Sequence, residues 1–132
     1  MFLNRLKKKE KVAFLELAHH IARSDSDFSE SQKSIISKYC MEMKISDIKY
    51  NENKFDLEKT LSKFKSKSSQ KISLLEVMAL VYSDDILHIE EKKVLTTMIK
   101  QFGLKDSLAV IYSQWSKSIL ALYIQGQALI DL

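Results

Sequence analysis

A chain of 132 residues, 45% apolar and 29% charged, fits one globular domain with its own core. It has no proline, only two glycines and one cysteine, which excludes an internal disulfide, favours a reducing cytoplasmic compartment and makes long helices the simplest reading. The net charge of +4 comes from residues 1–11, where Arg5, Lys7, Lys8, Lys9 and Lys11 face Glu10 alone, and so argues against a nucleic-acid partner read by a basic face spread over the fold.

In that N-terminal segment Met1, Phe2, Leu3 and Leu6 lie among the cations. It lacks the apolar h-region of a signal peptide, and no run of about eighteen apolar residues marks a transmembrane span. Two readings stand for residues 1–11. One is an amphipathic stretch in which Arg5, Lys7, Lys8 and Lys9 touch the inner membrane surface through anionic lipid. The other is a solvated tail whose few apolar residues fold back on a helical domain spanning residues 12–132.

A first helix is expected over residues 8–24, with Phe14, Leu17, Ala18 and Ile21 at helical spacing on the core face. His19 and His20 fall off that face and are read as surface residues. A second helix opens at Ser29, where Ser29 to Gln32 matches a capping box, and buries Ile35, Ile36, Tyr39 and Met43 before ending near Lys44. Cys40 lies within it and is read as an inert thiol. A loop over 45–54 leads to a short helix capped by Asp56, and residues 63–71 read as a basic, serine-rich linker.

The next helix, over 72–83, is apolar on nearly all sides and belongs at the centre of the bundle. Another follows over 89–102, burying Val94, Leu95, Met98 and Phe102, with Gly103 as its terminating residue. The last helix, over 107–131, carries Leu108, Tyr112, Trp115, Ile119, Leu122, Gly126 and Leu129 at alternating spacings of four and three. Core packing along the other helices is the expectation for it, with a leftover patch for a protein partner or for a homodimer.

The chain aligns with itself, without a gap, when shifted by 59 residues. Ser24-Asp25 meets Ser83-Asp84, Ile35-Ile36 meets Val94-Leu95, and Met43 meets Phe102. The unit is a helical hairpin that cannot bury its apolar face alone. The fold class is therefore all-α, a bundle of about six or seven helices in which repeat one (12–45) and repeat two (72–104) stand in pseudo-twofold relation.

The stretches Leu15 to Glu30 and Leu74 to Glu91 resemble the tellurite-resistance TerB-like family. In each, an apolar helix runs into Ser-Asp and a polar turn before the next helix. The resemblance covers residues from about 12 to 105. It implies an all-helical fold, a stress-response role near the inner membrane with protein partners, no settled enzymatic activity, and acidic loops for a divalent metal. The family's glycines are replaced here by Ser26 and Asp85, and the acid expected at the first helix start is Gln32, whereas the second copy keeps Glu91.

The metal residues so implied are Asp25, Asp27, Asp84, Asp85 and Glu91. Hard divalent cations take such oxygens, and the second loop, with His88 and Glu90 added, is the denser cluster. Neither loop has EF-hand spacing. A carboxylate at a helix C-terminus faces the negative end of the dipole, so Asp25 and Asp84 need an offset. Bonding to N–H groups of the following helix supplies one from within the chain, and a cation is the other. No nucleophile motif or phosphate-cradling glycine loop is present, so no catalytic residue is assigned. The leading reading is a non-catalytic TerB-like interaction module. A peripheral membrane adaptor is second, and a metal-dependent enzyme third.

Overall fold

A computed structural model of the chain describes residues 1–24, 28–82 and 88–132, and its described residues form six α-helices and no strand. A 3-10 turn, Leu3–Arg5, precedes α1 (Lys8–Arg23), α2 (Glu30–Met43), α3 (Leu57–Leu61), α4 (Lys67–Val81), α5 (Ile89–Phe102) and α6 (Asp106–Ile130). No helix among the described residues is long and apolar enough to cross a membrane.

Capping chemistry sets the boundaries. The Lys7 N–H donates to Glu10 Oε1 at 2.8 Å where α1 begins. At α2 the Ser29 N–H donates to Gln32 Oε1 at 2.9 Å, and the Gln32 N–H returns a bond to Ser29 Oγ at 3.3 Å. Asp56 caps α3 by accepting from the Lys59 N–H at 3.2 Å. Ser66 caps α4 by accepting from the Ser69 N–H at 3.0 Å.

That last cap corrects the linker expected over 63–71. Ser66 starts a helix, and Lys67 and Lys71 lie in its first two turns, where long cationic side chains reach outward without breaking it. Phe64, inside the same run, is buried, and Lys67 Nζ donates to the Phe102 carbonyl at the end of α5.

Two helices end in the left-handed conformation, α2 at Lys44 (φ 57°) and α5 at Gly103 (φ 64°). In both, the next residue closes the end by a bond back into the last turn: Ile45 N–H to the Cys40 carbonyl, and Leu104 N–H to the Ile99 carbonyl. The caps at Lys7 and Ser66, at Ser29 and His88, and at Lys44 and Gly103 are each 59 positions apart.

The core is contiguous. Phe14, Leu15, Leu17 and Ala18 of α1 meet Leu74, Val77, Met78 and Val81 of α4, with Ile36, Met43, Val94, Leu95, Met98 and Phe102 closing the sides. Helix α4 is central: it packs against α1, α5, α6 and the N-terminal turn, and none of its residues from Ile72 to Val81 is exposed. Glu76 sits in that helix as a buried carboxylate. Its Oε1 accepts from the Met1 ammonium at 2.9 Å and from the Phe2 N–H at 2.8 Å. Glu42 holds the same ammonium at 3.0 Å and the Leu3 N–H at 2.9 Å.

Leu3 and Leu6 are buried in the core, so they are not available to lipid, while Arg5, Lys7, Lys8 and Lys9 remain exposed.

Helix α6 departs from its expected packing. Its first half lies on α4 through Ala109 and Ser116. From residue 121 onward no residue is buried. The seam expected along the whole helix therefore packs only as far as about Ile119, while the helix of 25 residues, roughly 37 Å long, runs on to Ile130.

Candidate functional site

The ends of α1 and α4 and the starts of α2 and α5 gather at one end of the bundle. Between them lies a cleft of about 350 Å³, lined by Ile21, Ser29, Gln32, Leu80, His88 and Glu91 among others. The two capping boxes, 59 positions apart in sequence, thus face one cavity.

Of the residues expected to bind metal, Asp25, Asp27, Asp84 and Asp85 lie outside the described residues. Glu91 is described, and its first role is structural. It is buried, and its Oε1 accepts from the His88 N–H at 3.2 Å, as Gln32 does for Ser29. The same oxygen lies 4.0 Å from His88 Nε2. A carboxylate in the first turn of a helix is also favoured by the dipole. Among the described residues, no group of three or more His, Cys, Asp or Glu could hold a metal ion. Glu91 alone does not make a donor set for a hard cation.

The sequence reading placed His19 and His20 on the surface, and His19 is instead buried. The loop over 45–56 folds back across α1 and covers it. His19 Nε2 lies 2.9 Å from Asp47 Oδ1, while its Nδ1 accepts from Arg23 Nε at 3.4 Å. With Nδ1 an acceptor, Nε2 carries the proton and donates to Asp47. The ring stacks on Tyr50, with centroids 5.6 Å apart and planes inclined by 10°. The Arg23 guanidinium lies 4.1 Å above the Phe28 ring and 5.5 Å from that of Tyr50.

His20 is half-buried beside it. It stacks on Phe55 at 4.3 Å, its Nδ1 lies 3.2 Å from the Tyr50 hydroxyl, and its Nε2 lies 3.8 Å from Glu90 Oε2. Burial holds its pKa below the usual 6.5, outweighing the opposite pull of Glu90 and Glu52. Burial likewise pushes the Tyr50 phenol up to about 12, with Glu52 adding to it. All three histidines of the chain therefore sit at this end.

The arrangement suits recognition better than proton transfer. Both ring nitrogens of His19 are engaged, and Tyr50 stays neutral at ordinary pH. Burial raises the Cys40 thiol, which disfavours the thiolate a nucleophile requires. What this end offers is a fixed set of rings, one guanidinium and two capped helix starts. The hint of it in the sequence is a pair of aromatics, Tyr50 and Phe55, in a loop that is mostly polar after Ile48. No family model, no curated protein and no solved structure matches the chain.

Proposed function

We propose that the protein is a non-catalytic, TerB-like stress-response module that engages protein partners in the cytoplasm through the loop end of its bundle. The observation that carries this reading is the convergence of both capping boxes, Ser29 with Gln32 and His88 with Glu91, on the lining of one cleft. The equal spacing of the helix boundaries supports two hairpin repeats related by a pseudo-twofold axis. Beside the cleft, His19, Arg23 and Asp47 tie the last turns of α1 to the 45–56 loop.

Within this reading, a divalent cation is a ligand of the second loop, offered by Asp84 and Asp85 on the strength of the sequence alone. Glu91 acts by fixing the helix start rather than as a free donor. The test is an amide NMR titration with calcium, magnesium and zinc in turn. Shifts confined to residues 84–91, with the first loop less affected, are the expected result. Unmoved amides there at millimolar metal overturn the metal part, and shifts spread over the exposed lysine-rich surface instead overturn the choice of site.

The exposed cations Arg5, Lys7, Lys8 and Lys9 suit a second role at the inner face of the membrane. With Leu3 and Leu6 in the core, such contact is electrostatic and falls with added salt.

A further inference from the structure

Helix α6 carries an apolar surface that the domain does not cover. Leu122, Tyr123, Ile124, Leu129 and Ile130 are each more than 60% exposed, and Val110 and Ile111 are more than half exposed. Between Ser118 and Leu132 the only charged residue is Asp131. At about 200 Å² for a large apolar side chain, these residues together present roughly 900 Å² to water, spread around the helix, with Ile111, Leu122 and Leu129 sharing one side.

The order of residues on that face names the occupant. Ile111, Trp115, Ser118, Leu122, Gln125 and Leu129 recur at spacings of four, three, four, three and four, so they form one row along the helix. This row lies opposite Ala109 and Ser116, which pack on α4. Its spacing, though not its residues, is symmetric about position 120. An antiparallel copy would set Ile111 against Leu129, Trp115 against Gln125 and Ser118 against Leu122, twice each. A twofold at position 120 therefore lets the row meet its own copy, as an isologous dimer requires.

Charge agrees with that register. Ile111 borders a groove rimmed by Lys67, Lys71 and Lys105. In the antiparallel register the Asp131 end of the partner helix, which also carries the negative pole of its dipole, comes to this groove.

We propose that a second copy of this chain covers α6, the two helices pairing antiparallel about position 120 with the Asp131 end of each laid on the other's lysine-rimmed groove. The pairing stands apart from the loop end and does not depend on what binds there.

Sedimentation equilibrium of the full chain over about 1–100 µM tests it. The expected result is a dimer whose dissociation constant rises about tenfold or more in Leu122→Glu and in Leu129→Glu. Both positions are exposed in the single chain, so an unchanged circular dichroism spectrum should accompany the loss. The register is read by oxidative cross-linking in a Cys40→Ala background. A mixture of Ile111→Cys and Leu129→Cys chains should cross-link, and neither variant should do so alone. A monomer at 100 µM, a dimer indifferent to both glutamates, or self-cross-linking of Leu129→Cys overturns the proposal. So does a chain that stays monomeric yet sediments with phosphatidylcholine–phosphatidylglycerol vesicles through Leu122, which would assign the face to lipid.

Discussion

Glu76 is a buried carboxylate of the central helix, and its replacement gives a quantitative test of how the N-terminus is held. Its Oε1 accepts from the Met1 ammonium at 2.9 Å and from the Phe2 N–H at 2.8 Å. A hydrogen bond to a charged group contributes about 1.5–3 kcal/mol, but the ammonium is half-exposed and Glu42 retains it when Glu76 is gone. Glu76→Leu leaves the Phe2 N–H without its acceptor and regains some apolar burial at a position where α1 carries Leu17. The net loss should be about 2 kcal/mol by urea denaturation at pH 7, or a Tm lower by roughly 6–10 °C. Glu76→Gln keeps an oxygen for Phe2 and should lose about 1 kcal/mol.

The pH dependence carries a definite sign. Burial alone would lower the Met1 amine, but the bonds and charges of Glu76 and then Glu42 outweigh it and raise the group above 8.0. The amine therefore binds its proton more tightly folded than unfolded. Its contribution is complete below pH 8 and disappears as the pH rises through the folded value. The native chain should lose stability above pH 8, and Glu76→Leu should show a shallower fall over the same window. A loss below about 0.5 kcal/mol in Glu76→Leu, or parallel pH curves, would refute the reasoning.

Two other predictions follow from single residues. Lys44 holds φ 57° where its counterpart is Gly103, so Lys44→Gly should raise stability by about 0.5–1 kcal/mol in urea melts; a loss would mean that the lysine side chain contributes more than its backbone conformation costs. His20 is held neutral by burial, so its NMR titration should lie below 6.5, and stability should decline as pH falls from above 6.5 through the folded value; a midpoint at or above 6.5 would contradict the stacking on Phe55 as its environment.

The local features of the fold were legible and the long-range ones were not. The cap at Ser29, the end of α5 at Gly103 and the buried row Val94, Leu95, Met98 and Phe102 depend on neighbours within one or two turns, and spacing alone reveals them. His19 was misplaced because its partners, Asp47 and Tyr50, come from a loop some 30 positions away, and helical periodicity says nothing about what a loop will cover. The start of α4 was missed because lysine and serine were read as a linker, although Ser66 and Ser69 make a cap. The leftover patch on α6 is legible from its excess of apolar residues, but its extent is not, because an apolar helix asks to be covered without saying by what. At the candidate site, the cap at Gln32 was visible, while the matching duty of Glu91 was hidden behind its charge.

The same comparison explains why the two hairpins diverge in chemistry. Positions 59 apart occupy like places in α1 and α4, yet Leu17 corresponds to Glu76, His19 to Met78 and Arg23 to Tyr82. Where partners are resolved, the residue type follows what covers it. Glu76 meets the chain's amino terminus, His19 and Arg23 meet the rings of the 45–56 loop, and Tyr82 lies 4.9 Å beneath Lys117 of α6. The end of α1 is thereby polar and ring-lined, and the end of α4 lies under the long helix α6. If these are separate devices, perturbing one leaves the other's readout unchanged. His19→Phe should remove the bond to Asp47 and shift the titration of His20, with the dissociation constant of the α6 pair within about twofold of the native value. Leu122→Glu should do the reverse. A change in both readouts from either substitution would mean that the loop end and α6 work as one unit.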